Sequence, residues 1–127
     1  MPEKRFLQIA VAAAGLVPVA AGALGALRPE LLLDGPPDAL AHGAYLSGLL
    51  LGLGLAFWSL IPTIERHRHA FGLLTGLVVL GGLARTLTAT RLGAWNLSVE
   101  LPLVMELGVT PTLWLWQRRV SSLFRPE

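Results

Sequence analysis

The chain has 127 residues, of which 54% are hydrophobic and 14% are charged, and its formal net charge is +2. A soluble domain of this length needs more polar surface, so the composition indicates an integral membrane protein. The sequence contains no cysteine, which excludes disulfides, thiolate metal sites and cysteine nucleophiles. Its basic residues lie at the ends of apolar runs rather than in one patch, which argues against nucleic-acid binding.

Four apolar runs predict four membrane-spanning helices, because about 20 apolar residues are needed to cross the hydrocarbon layer. The first run also resembles a secretory signal peptide, since small residues surround Ala21. It is longer than the apolar part of a typical signal peptide, so we favour an uncleaved helix. The four predicted helices cover about 6–27, 39–61, 70–90 and 99–117.

The placement of lysine and arginine predicts the orientation of these helices. If the chain crosses four times, seven basic residues fall on one side and two on the other, and such an excess marks the cytoplasmic side. We therefore predict an all-α, four-helix transmembrane bundle, a single domain over 1–127, with both termini cytoplasmic. The seven residues are Lys4, Arg5, Arg66, Arg68, Arg118, Arg119 and Arg125, and the two are Arg28 and Arg91.

The composition also suggests a source. One lysine accompanies nine arginines, and alanine, leucine and glycine dominate, a bias common in chains from GC-rich bacterial genomes. We therefore expect a multi-pass protein of the bacterial inner membrane, with membrane lipids as its immediate partners. A partner membrane subunit or a homo-oligomer would suit its small-residue helix faces.

Two charges, Arg85 and Glu106, fall inside apolar runs, where an unpaired charge is costly. At about 1.5 Å of rise per residue, Arg85 lies roughly 7 to 8 Å below the outer end of its helix, and Glu106 roughly 8 to 10 Å. Consecutive helices joined by a short loop are usually neighbours, so we predict that these two side chains pair.

Other polar residues enter the membrane from the same side and predict the lining of a pocket. His42 and Tyr45 share a face of the second helix, Thr86 and Thr88 lie close to Arg85 on the third, and Thr110 lies one helical turn after Glu106.

Three interpretations remain open for this region. The pair is a structural clasp that fixes helix register, or it lines a pocket for a polar head on an apolar tail, such as a lipid or a quinone. The third is a proton-coupled small transporter or a membrane enzyme that uses Glu106.

No nucleophile motif, paired-carboxylate site, phosphate-binding loop or metal-ligand spacing occurs in the sequence. His67 and His69 alternate with arginines, which disfavours a metal site and indicates a loop facing water or headgroups. We predict no catalytic residue, metal or cofactor, although the missing motifs alone do not exclude an enzyme. The preferred function is that of a small non-catalytic membrane protein, either an accessory subunit or a lipid-type or quinone-type ligand binder.

Three stretches stand out along the chain: Leu46-Ser47-Gly48-Leu49, Gly81-Gly82-Leu83-Ala84-Arg85 and Met105-Glu106-Leu107-Gly108-Val109-Thr110-Pro111. They resemble a known family of small bacterial four-helix membrane proteins described only as a domain of unknown function. The resemblance covers about Phe6 to Arg119 and implies that Arg85 and Glu106 are family motif positions, but it implies no activity. At the level of architecture alone, the chain is also similar to the DoxX-like group.

Overall fold

A computed structural model of the chain describes residues 2–124, and within them every regular element is a helix. The all-α prediction is therefore confirmed. Two short 3₁₀ segments, Pro29–Leu31 and Ile61–Arg66, join the first three helices, and a π-helical turn, Val104–Val109, joins the last two. The α-helices are α1 (Pro2–Leu27), α2 (Pro37–Ser59), α3 (Arg68–Leu92), α4 (Leu97–Leu103) and α5 (Thr110–Leu123).

The helices α1, α2 and α3 are each long and apolar enough to cross a membrane. At most 22% of the residues in the most apolar part of any of them are buried by protein. Leaving so much apolar surface in water would be unfavourable, so these helices are those of a membrane-embedded protein.

The fourth predicted helix is divided in the structure. Its residues lie in α4, the π turn and α5, and neither α-helical part alone reaches the length that a membrane span needs. The number of spans therefore stays a prediction.

The described chain divides into two compact units, residues 8–62 and residues 2–7 with 63–124. In the unit of residues 8–62, α1 and α2 pack with their backbones in contact. A Cβ added at Gly22 would lie 2.5 Å from the backbone nitrogen of Leu51, so only glycine permits this approach. The side-chain amide of Gln8 donates to the Ile61 carbonyl at 2.7 Å, which satisfies a backbone group where α2 has ended.

The second unit, residues 2–7 with 63–124, contains α3, α4, the π turn and α5. Gln117 of α5 is completely buried, and its amide nitrogen donates to the Ile64 carbonyl at 2.8 Å. This bond ties α5 to the segment that precedes α3. The fully buried apolar side chains of this unit are Leu7, Ile64, Phe71 and Val120.

Two ion pairs hold the first residues of α1 within this unit. Lys4 Nζ lies 2.9 Å from Glu65 Oε2, and Arg119 Nε donates to Glu3 Oε1 at 2.6 Å. The beginning of α1 and the last turns of α5 therefore meet at one end of the unit. Arg125, which contributed to the predicted orientation, lies outside the described residues.

The Lys4–Glu65 pair makes stability depend on pH. Burial acts to raise the pKa of Glu65, but the hydrogen bond from Lys4, its own backbone N–H and the charges of Lys4 and Arg66 outweigh burial and lower it. A lowered folded-state pKa adds stability above the unfolded pKa, and this stability is lost as the pH falls through the folded pKa. We expect Glu65→Gln to have a lower free energy of unfolding than wild type at pH 7. We also expect it to lose less stability than wild type as the pH falls.

Thermal unfolding in detergent micelles from pH 7 down to pH 3 would measure this difference. Glu3→Gln is the matched control, because its partner Arg119 is 70% exposed and such a pair contributes little. Equal pH profiles for Glu65→Gln and wild type would contradict the prediction.

The candidate site at Arg85 and Glu106

Arg85 and Glu106 form an ion pair between α3 and the π turn. Arg85 Nη2 donates to Glu106 Oε1 at 3.1 Å, and Nε donates to Oε2 at 3.3 Å. Two parallel bonds of this kind fix the planar guanidinium relative to the carboxylate. The two side chains are buried to different degrees, since 41% of Arg85 but only 17% of Glu106 is exposed.

Gly82, one turn before Arg85, allows α3 to approach the π turn closely enough for this contact. A Cβ added at Gly82 would lie 2.9 Å from Leu107 Cδ2, 3.0 Å from Glu106 Cβ and 3.1 Å from Glu106 Oε2. Any larger side chain must therefore push the carboxylate or the helix away.

The π turn has a local cause in Pro111. Proline lacks a backbone N–H and its ring crowds the carbonyl four residues earlier, so an α-helix cannot continue undisturbed through it. The chain responds with a wider turn immediately before the proline, in which the Thr110 N–H bonds to the Met105 carbonyl, five residues back. The Thr110 hydroxyl also donates to that carbonyl, at 2.8 Å. Glu106 belongs to this widened turn and projects from it toward α3.

The guanidinium of Arg85 keeps donors available after pairing. The two bonds to Glu106 use Nε and Nη2, and no described residue accepts a hydrogen bond from Nη1. Beside Arg85 lies an open groove of about 400 Å³, which we call the Arg85 groove. Most of its lining is aliphatic, and it consists of Ala84, Arg85, Thr88, Ala89, Ala94 and Val99.

The other predicted pocket residues lie in different surroundings. Thr86 donates its hydroxyl to the Gly82 carbonyl at 2.9 Å, and Thr110 is bonded within the π turn, so both hydroxyls are engaged with their own helices. His42 and Tyr45 are exposed on α2, in the unit of residues 8–62. A pocket shared by these residues and Arg85 stays a prediction.

One residue of the site, Gly82, was not predicted from the sequence. Gly82 was visible only as half of a double glycine, and nothing in the pattern separates it from Gly81. Thr88 was predicted among the polar residues beside Arg85, and the structure places it with Arg85 in the lining of the groove. Among residues 2–124, no group of three or more histidine, aspartate or glutamate side chains is placed to hold a metal ion.

A family model described as "Domain of unknown function (DUF4345)" matches residues 6–117, which is most of the chain and includes α3 and the π turn. No curated protein and no solved structure matches the chain.

Proposed function

Because the chain belongs to DUF4345, whose description assigns no activity, we propose its function from the contacts of its own side chains. We infer that it is a small, non-catalytic integral membrane protein that binds a lipid-type or quinone-type ligand. In this proposal the Arg85–Glu106 pair joins α3 to the π turn and presents Arg85 to the ligand.

One observation carries the proposal: Arg85 is paired and yet 41% exposed beside a mostly aliphatic groove. An ion pair that only fixes helix register does not require an accessible partner, whereas a ligand site needs one of the two side chains accessible. A charged group next to aliphatic walls suits a molecule with a polar head and an apolar tail.

A proton-coupled transporter or membrane enzyme would need a polar path to Glu106. In the part of the chain that the structure describes, the groove is lined by Arg85 and not by Glu106, and the Glu106 side chain is 17% exposed. These observations favour ligand binding over proton transfer at Glu106.

The proposed topology is a four-helix, multi-pass bundle in the bacterial inner membrane, with both termini cytoplasmic. The seven-to-two distribution of basic residues supports this orientation. The contact between Glu3 and Arg119 supports it further, because an even number of crossings returns the chain to the side where it began.

Native mass spectrometry of gently extracted protein tests the proposed function. We expect wild type to retain an amphiphile that the double variant Arg85→Leu/Glu106→Leu loses. The control is Arg91→Leu/Glu100→Leu, which removes the same two charges from exposed positions. If the Arg85/Glu106 variant is folded and carries the same lipids and partner chains as wild type, the proposal is wrong. A stoichiometric partner chain lost only from that variant would instead favour an accessory subunit.

A further inference from the structure

We propose that the Arg85 groove is a headgroup site for an anionic phospholipid, with Arg85 and Thr88 as the groups that bind its phosphate. This inference rests on the proposed function, because it names the class of the ligand at the same site. Its evidence is the set of donors that remain unused next to the pair.

The Arg85 guanidinium has more donors than Glu106 uses. Arginine has five N–H donors, and Glu106 accepts from Nε and from Nη2. The edge that carries Nη1 has no acceptor among the described residues, and the side chain is 41% exposed. Inside a membrane an unsatisfied donor is costly, so this edge favours an acceptor supplied from outside the chain.

Thr88 carries a second available donor in the groove. It lies three residues after Arg85 on α3, and both residues line the Arg85 groove. Its hydroxyl has no hydrogen-bond partner among residues 2–124, in contrast to the Thr86 hydroxyl, which bonds to its own helix. The groove therefore contains a cationic donor and a neutral donor side by side, the combination that binds phosphate oxygens.

The walls of the groove suit an amphiphile better than a free ion. The rest of the lining is aliphatic, from Ala84 and Ala89 on α3 to Ala94 and Val99 beyond its end. A free phosphate ion gains nothing from such walls, whereas a phospholipid places the first methylenes of its acyl chain against them. Glu106 pairs with Nε and Nη2 of Arg85. An anionic headgroup would therefore bind at Nη1 while the pair stays intact.

The test uses the full-length protein in vesicles of equal parts phosphatidylglycerol and phosphatidylcholine with matched acyl chains, followed by native mass spectrometry. We expect wild type to retain phosphatidylglycerol preferentially. Arg85→Gln should lower the ratio of retained phosphatidylglycerol to phosphatidylcholine by about fivefold or more, since hydrogen bonds to charged groups are among the stronger ones. Thr88→Val, which leaves the ion pair in place, should lower the ratio by about twofold to threefold.

Two control variants separate this site from general charge attraction and from the clasp. Arg91→Gln removes one exposed positive charge from the last turn of the same helix and should leave the ratio unchanged. Glu106→Gln removes the carboxylate but keeps the arginine, so the preference should persist. If Arg91→Gln lowers the ratio as much as Arg85→Gln, or if Glu106→Gln abolishes it, the inference is wrong.

The remaining outcomes are equally decisive. Binding of inorganic phosphate to lipid-free protein with the same dependence on Arg85 would make the occupant a soluble anion and overturn the inference. Wild type that retains amphiphiles without any headgroup preference would overturn this inference but not the proposed function. Wild type that retains no amphiphile would overturn both.

Discussion

Replacing Gly82 with leucine is expected to separate α3 from the π turn and to lower the free energy of unfolding by about 1–3 kcal/mol. The added side chain has no space, because even its Cβ would lie 3.0 Å from Glu106 Cβ and 3.1 Å from Glu106 Oε2. The displaced carboxylate would also lose its two bonds to Arg85. Unfolding by a denaturing detergent, followed by circular dichroism, measures the loss.

The neighbouring glycine provides the control. A Cβ added at Gly81 meets no described atom within 4 Å, so Gly81→Leu adds the same side chain one position away without a clash. We expect it to be as stable as wild type or slightly more stable, because leucine favours a helix more than glycine does. Equal destabilisation by the two substitutions would show that the packing of Gly82 against the π turn is unimportant.

The second large effect is expected from the ion pair itself, measured as a double-mutant cycle. Arg85→Leu should cost about 1–3 kcal/mol, and Glu106→Leu should cost less. Arg85→Leu leaves the Glu106 carboxylate without a partner at a position that is only 17% exposed, where little solvent reaches it. Glu106→Leu leaves the Arg85 guanidinium unpaired, but this side chain is 41% exposed and still finds water or headgroups. The double variant should cost less than the sum of the two single variants, because it leaves no charge unpaired.

The Glu3–Arg119 pair is the matched comparison for this cycle. Its arginine is 70% exposed, so the coupling between the two residues should be below about 1 kcal/mol. Additive effects at Arg85 and Glu106, with no coupling between them, would show that the observed contact does not stabilise the fold.

Several features of the fold follow from properties that are local in sequence. The apolar runs of α1, α2 and α3 are long enough to predict helices that cross a membrane, because length and composition alone decide that. The pairing of Arg85 with Glu106 was predicted by counting residues along two consecutive helices, and the two side chains are in contact. Helical periodicity is less dependable for Thr110, because it assumes a regular α-helix between Glu106 and Thr110, and the π turn replaces that helix.

The sequence does not predict which glycines are sites of close helix packing. Gly48 and Gly52 have the spacing of a helix-packing motif, yet a Cβ at either would meet no described atom within 4 Å. Close packing occurs at other glycines instead, Gly22 and Gly82 among them. A glycine permits close approach of any helix, but which glycines are approached depends on the rotation of each helix about its axis, and that rotation is set by packing.

The sequence by itself therefore determines the class of the protein and its apolar helices, and it predicts that two opposite charges pair. These depend on the order of residue types along the chain and on a constant helical rise. The tertiary structure decided which edge of Arg85 meets Glu106, which edge remains available beside Thr88, and which side chains surround the groove. These depend on the proline-induced π turn and on the contact at Gly82, since both set the distance and the rotation between α3 and its neighbour.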